Sequence, residues 1–134
     1  MTTLEQIKEI LNKKDASLVV AYKNGTVKEY YQDRIIDLVS ILKENENALK
    51  ESILADKVIG KVAASIMVVA GVKQIYANKL SKFAVPVLES ANIIYSYGEL
   101  VEYIKNKDKT GMCPMENKYQ NKMDANKIYC DMVK

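Results

Sequence analysis

ADKVIGKVAASIMVVAGV, residues 55–72, is the stretch that organises this chain of 134 residues. After Asp56 and Lys57 it is apolar on nearly every side, broken only by Gly60, Lys61 and Ser65. A helix that is apolar all round must be buried, so the pattern predicts a helix over 55–72 clamped between a sheet and other elements. Gly71 suits its C-terminal cap, where a residue in the left-handed conformation closes the last turn.

On the C-terminal side, KQIYAN (73–78) reads as a short strand and SKFAVPVLESA (81–91) as a helix with Ser81 near its start. Pro86 makes that helix start late or bend. NIIYSYG (92–98) reads as a second strand, and GELVEYIKN (98–106) as a short helix turning Leu100, Val101 and Ile104 inward. KDKTG (107–111) is a loop. Residues 117–134 are rich in Asn and Lys, with only Met123, Ile128, Tyr129, Met132 and Val133 to bury. The domain is therefore expected over 1–117, with 118–134 a polar tail.

On the N-terminal side, LEQIKEILNKK (4–14) sets Leu4, Ile7, Ile10 and Leu11 on one face of an amphipathic helix. SLVVAYK (17–23), Asn24-Gly25 and TVKEYYQ (26–32) form a hairpin, since the Asn-Gly pair accepts the positive φ that a tight turn demands. Asp33 can cap a helix in which Ile35, Ile36, Leu38, Val39, Ile41 and Leu42 repeat with helical spacing, fading into the solvated KENENALKES. The strand–helix–strand at 73–95 implies a parallel pair with a right-handed crossover. A hairpin feeding such a unit, with a buried helix between, predicts a three-layer α/β/α arrangement around a mixed sheet.

Composition narrows the chemistry. At 49% hydrophobic and 28% charged residues the chain has enough apolar surface for one core. A net charge of +3 on 20 basic and 17 acidic residues, evenly spread, gives no basic stripe of the kind that binds nucleic acid. No apolar run reaches the ~18 residues of a membrane span and no leader-like stretch opens the sequence, so a cytoplasmic protein without membrane contact is expected. There is no histidine. That removes serine–histidine and cysteine–histidine catalysis, imidazole proton relays and every histidine-ligated metal site. The two cysteines, Cys113 and Cys130, are too few for a structural zinc site.

The ADK-x-x-GKxAA segment at 55–64, the SYG turn at 96–98 and TGMCPME at 110–116 together resemble a bacterial family of uncharacterised proteins, domain of unknown function 1893. The resemblance runs from about residue 4 to residue 117, and the family looks like a branch of the cytidine-deaminase-like fold. It implies a five-element sheet with two helices, corresponding to 56–70 and 82–91, packed against it. Zinc deaminases of that fold place H-x-E or C-x-E at the start of the first helix and P-C-x-x-C at the start of the second. Here those positions read Ala55-Asp56-Lys57-Val58 and Ser81-Lys82-Phe83-Ala84-Val85, with no histidine, cysteine or proton-shuttling glutamate. The resemblance thus implies a zinc-free protein with no cofactor that does not carry out hydrolytic deamination.

In such a fold the N-terminal ends of both central helices open onto one pocket. Asp56 and Lys57 are expected at its mouth with Lys61 one turn along, an acid and two lysines suited to an anionic or polar small molecule. The structural alternative has Asp56 capping the helix while the lysines extend to water. Partial burial of Lys61 lowers an amine's pKa and makes it a better base or Schiff-base former. Pro114 suits the first position of a helical turn, which makes Cys113 its N-cap and Glu116 its third residue. Backbone N–H groups there favour thiolate, whereas Glu116 opposes it unless Lys57 or Lys61 stands close. Tyr95, Tyr97, Tyr30 and Tyr31 read as sheet packing.

Two functions follow. The first is a ligand-binding protein or enzyme with Cys113, Asp56 and Lys61 as catalytic candidates and Lys57 and Glu116 as ligand contacts. The second is a non-catalytic degenerate module acting through a protein partner or as a homo-oligomer.

Overall fold

The polar–apolar alternation of the chain resolves into ten elements in the computed structural model, which describes residues 4–32, 35–102 and 125–133. Helix α1 (Leu4–Lys13) buries Ile7 and Leu11, the stripe its spacing predicts. Strands β1 (Leu18–Ala21) and β2 (Val27–Tyr30) pair antiparallel, Leu18 opposite Tyr30 and Ala21 opposite Val27. Gly25 turns the hairpin with φ 93°, a conformation that glycine adopts without steric cost, and its N–H donates to the Tyr22 carbonyl at 2.9 Å. Helix α2 (Ile36–Glu44) buries Asp37, Leu38, Ile41 and Leu42. The connection after it is less solvated than its composition suggests, because Leu49 and Ser52 are buried and the Ser52 hydroxyl donates to the Leu49 carbonyl.

The stretch 55–72 is not one helix. Ile53–Ile59 is strand β3, Gly60 is extended, and helix α3 runs Lys61–Ala70. β3 lies at the centre of the sheet between β1 and β4, so Leu54 and Ala55 are both buried although they point to opposite faces. A central strand covered on both faces reads as a continuous apolar run, and so does a buried helix; the two patterns merge here. Gly71 caps α3 in the left-handed conformation, φ 83°, with its N–H and that of Val72 returning to the Val68 and Met67 carbonyls.

Strand β4 (Gln74–Ser81) extends three residues beyond the predicted strand and ends on Ser81. Helix α4 (Val85–Ser90) starts late, with Pro86 in its first turn where no N–H is needed. Strand β5 (Ile94–Val101) absorbs Gly98–Val101, which the pattern assigned to a helix; Leu100 is exposed and Ile104 lies outside the described residues. Within the segment expected to be a polar tail, Ala125–Val133 forms helix α5, which buries Ile128, Tyr129 and Val133 against α3 and α2.

The sheet order is β2-β1-β3-β4-β5, with β1 antiparallel to both neighbours and β3, β4 and β5 parallel. α1 covers β1, β3 and β4 on one face, where Ile7, Leu11, Val19 and Tyr76 form a small cluster. The larger core lies on the other face under α2, α3, α4 and α5. The α/β class and the mixed five-stranded sheet are as expected. Among the described residues no helix is long and apolar enough to cross a membrane.

Candidate functional site

Asp56 sits where the sheet changes its alternation. Leu54 on β3 and Ile75 and Ala77 on β4 face α3, yet so do Ile59 and Leu80, each an odd number of residues further along. The side-chain order therefore slips by one in both strands at once. Ladder pairing passes from Asp56–Ala77 to Val58–Lys79 without a pair between them. Gly98 occupies the matching place on β5, where a Cβ would lie 3.0 Å from the Asn78 carbonyl oxygen and 3.1 Å from the Tyr76 hydroxyl. An aligned slip of this kind frees backbone N–H groups, as a bulge does. The Val58 N–H donates to Asp56 Oδ1 at 3.3 Å.

The Asp56 carboxyl is only 8% exposed. Burial pushes its pKa up to about 8, partly opposed by the N–H groups of Val58 and Lys57, and the Asp37 carboxylate raises it further. Asp56 is therefore largely protonated at neutral pH. Asp37, also buried, accepts from the Gln32 N–H at 2.9 Å. Sequence reasoning missed Asp37, although its place four residues before Ile41 puts it on the buried stripe of α2.

Lys57 lies on the opposite side of the sheet from Asp56. Its ammonium meets Asp15, at the end of α1, at 2.5 Å from Oδ1 and 3.3 Å from the backbone oxygen. The expected juxtaposition of Asp56 and Lys57 at one helix N-terminus is thus wrong, since neighbours on a strand point to opposite faces. The helix start expected to read Ala55-Asp56-Lys57-Val58 instead reads Gly60-Lys61-Val62-Ala63. Lys61 is the first residue of α3 and is 2% exposed, the largest fully buried side chain described. The neighbouring strand end carries Ser81, also buried, whose oxygen accepts from the Phe83 N–H at 3.1 Å. Cys113 and Glu116 lie outside the described residues.

A groove of about 470 Å³ opens elsewhere, between the hairpin and α2, lined by Tyr22, Tyr30, Asp37, Ser40 and Glu44 among others. The Tyr22 and Tyr30 hydroxyls share a hydrogen bond of 2.5 Å. Burial and that bond hold Tyr22 well above the usual phenol range. Tyr31 instead points outward and donates to Glu29, and Tyr95 donates to Glu89 on α4. Among the described residues no three His, Cys, Asp or Glu side chains gather as metal ligands.

A family model for domain of unknown function 1893 matches residues 6–134, nearly the whole chain and all of α5. The chain belongs to this family. The match continues past residue 117, where the sequence resemblance was expected to end, which accords with α5 being packed on the core. Among solved structures, the crystal structure of a DUF1893 family protein from Thermotoga maritima superposes with a TM-score of 0.84 at 28% identity. The superposition covers 96% of this chain and 86% of that one. No curated protein matches the chain.

Proposed function

We propose that this DUF1893 protein binds a small polar or anionic ligand at the carboxyl edge of β3 and β4, on a zinc-free scaffold of the cytidine-deaminase-like kind. The observation that carries the reading is the near-complete burial of Lys61 at the first residue of α3, directly beyond the end of β3. An ammonium at a helix N-terminus opposes the helix dipole, and enclosing it adds a desolvation cost. An anion accepted there would meet both the lysine and the backbone N–H groups of the first turn. The place is also where open α/β sheets bind ligands, outside the carboxyl ends of parallel strands. The sheet order and the two helices that follow β3 and β4 support the scaffold assignment. The start of α3 holds no histidine, cysteine or glutamate, which argues against zinc-dependent deamination.

Asp56, buried and largely protonated, is the candidate acid of this edge, and Cys113 its candidate nucleophile, with Glu116 a ligand contact; the last two rest on the TGMCPME segment alone. Lys57 is left out because it pairs with Asp15 across the sheet.

The test is a thermal-shift panel of nucleotides, inorganic phosphate and carboxylate metabolites on the wild type, Lys61→Met and Lys57→Met. At least one compound should raise the wild-type and Lys57→Met midpoints, and Lys61→Met should lose that rise. A panel without any response, or a full response in Lys61→Met, defeats the reading. For the thiol, iodoacetamide near neutral pH should label Cys113 faster than the exposed Cys130, which serves as the reference. Equal labelling of the two removes Cys113 from the chemistry.

A further inference from the structure

The hairpin and α2 do not close on each other. The groove of about 470 Å³ between them falls within the ~300–1,000 Å³ typical of small-molecule sites. It is separate from the carboxyl edge around Lys61. In the row that crosses β2, β1 and β3, the buried Leu18 stands between Tyr30, which lines the groove, and Asp56. On the α2 side the groove meets Asp37, only 6% exposed. Its Oδ2 accepts from the Gln32 N–H at 2.9 Å, and its Oδ1 has no hydrogen bond among the described residues. Every side-chain oxygen described that is sealed from solvent does have a partner. Oδ1 therefore reaches open space, and the groove is the space that Asp37 lines. A carboxylate so enclosed, with one N–H for its two oxygens, is short of donors.

We propose that this groove binds an organic amine, its cationic nitrogen held by Asp37 and the Tyr22–Tyr30 hydroxyl pair. The hydroxyls share one proton over 2.5 Å, which leaves lone pairs on both oxygens to accept further bonds. Burial, the Tyr30 hydroxyl and the Glu44 carboxylate each raise the Tyr22 phenol, so it stays neutral with Glu44 close by. The lining is thus rich in acceptors, and an ammonium brings three donors and no acceptor. A tyrosine ring beside the cation adds to the attraction. Among the described lining residues, Asp37 and Glu44 face a single cation, the exposed Lys28, which leaves one negative charge to neutralise. An anion would meet both carboxylates and is disfavoured. Ile41 and Ala48 give the hydrocarbon part of an amine an apolar wall. The inference goes beyond the ligand reading at Lys61 and does not depend on it.

The experiment is isothermal titration calorimetry of the full chain with putrescine, agmatine and tyramine, and with p-cresol and magnesium chloride at matched ionic strength. At least one amine should bind with a stoichiometry of one, and neither p-cresol nor magnesium should reproduce it. Asp37→Asn keeps an oxygen for the Gln32 N–H and should weaken that amine at least about tenfold. Tyr30→Phe and Glu44→Gln should each weaken it about two- to fivefold, and they decide the matter if Asp37→Asn loses the wild-type circular dichroism. Lys61→Met should bind the amine as the wild type does, which separates this site from the carboxyl edge. No response to any of the three amines, equal binding by magnesium, or unchanged binding in the folded groove variants overturns the inference. Loss of amine binding in Lys61→Met alone also overturns it, by moving the amine to the other site.

Discussion

Asp56 shows how one side chain serves the backbone and carries an acid at once. In the unfolded chain its carboxyl ionises near the ordinary value of ~3.9, while in the fold it holds its proton to about pH 8. Between those values the folded state binds more protons than the unfolded state, so this group's contribution falls as pH rises and is fully lost above about 8. Asn keeps an oxygen for the Val58 N–H and has no charge to bury. Asp56→Asn should therefore be more stable than wild type by roughly 1–3 kcal/mol at pH 8.5 and gain nothing at pH 4, read by urea denaturation at both values. A variant equally destabilised at both values would refute the raised pKa assigned to Asp56. Lys61 and Lys57 differ by four positions, yet one is enclosed at a helix start and the other is an ion-paired surface residue. Their chemical type was legible in the sequence. Their faces were not, because spacing has meaning only once strand and helix have been told apart.

At the scale of elements, the ladder across β3, β4 and β5 is interrupted at one level, where Lys57, Asn78 and Gly98 lie side by side without pairing. Gly98 is the point where β5 approaches β4 so closely that a Cβ would lie 3.0 Å from the Asn78 carbonyl oxygen and push its neighbours apart. Gly98→Ala should cost about 1–3 kcal/mol by denaturation, as forced overpacking does, with no change in sheet content by circular dichroism. A neutral Gly98→Ala would show that the strands separate freely there. The hairpin at Asn24-Gly25, helix α1 and the cap at Gly71 were readable locally, since each rests on a turn residue or a clean periodicity. β3 was not, because Ile53–Ile59 is apolar on both faces and runs straight into an apolar helix. β5 was cut short for a related reason: GELV carries helical spacing, and only its pairing with Lys79–Ser81 makes it a strand. The C-terminal helix looked too polar to matter, yet three apolar residues suffice when α3 offers them a surface.

Across the whole molecule the sheet is covered unequally. The face under α1 holds a small cluster around Ile7 and Leu11, while the other face holds most of the core. Local opening free energy follows buried apolar contact, so amide exchange of α1 should be faster than that of α3 and β4 under native conditions. Mass spectrometry of peptic fragments reads this directly, and α1 amides as slow as those of α3 would refute it.

The residue pattern by itself determined that this is an α/β protein, and composition that no histidine serves any site in it, because residue types cannot be changed by folding. The family's segments were visible in the same way. Which acid and which lysine share a surface was decided only by the tertiary structure. Strand pairing set β3 at the centre, sent Asp56 and Lys57 to opposite faces, and closed α3 over Lys61, through contacts between residues too far apart in the chain for any local pattern to record.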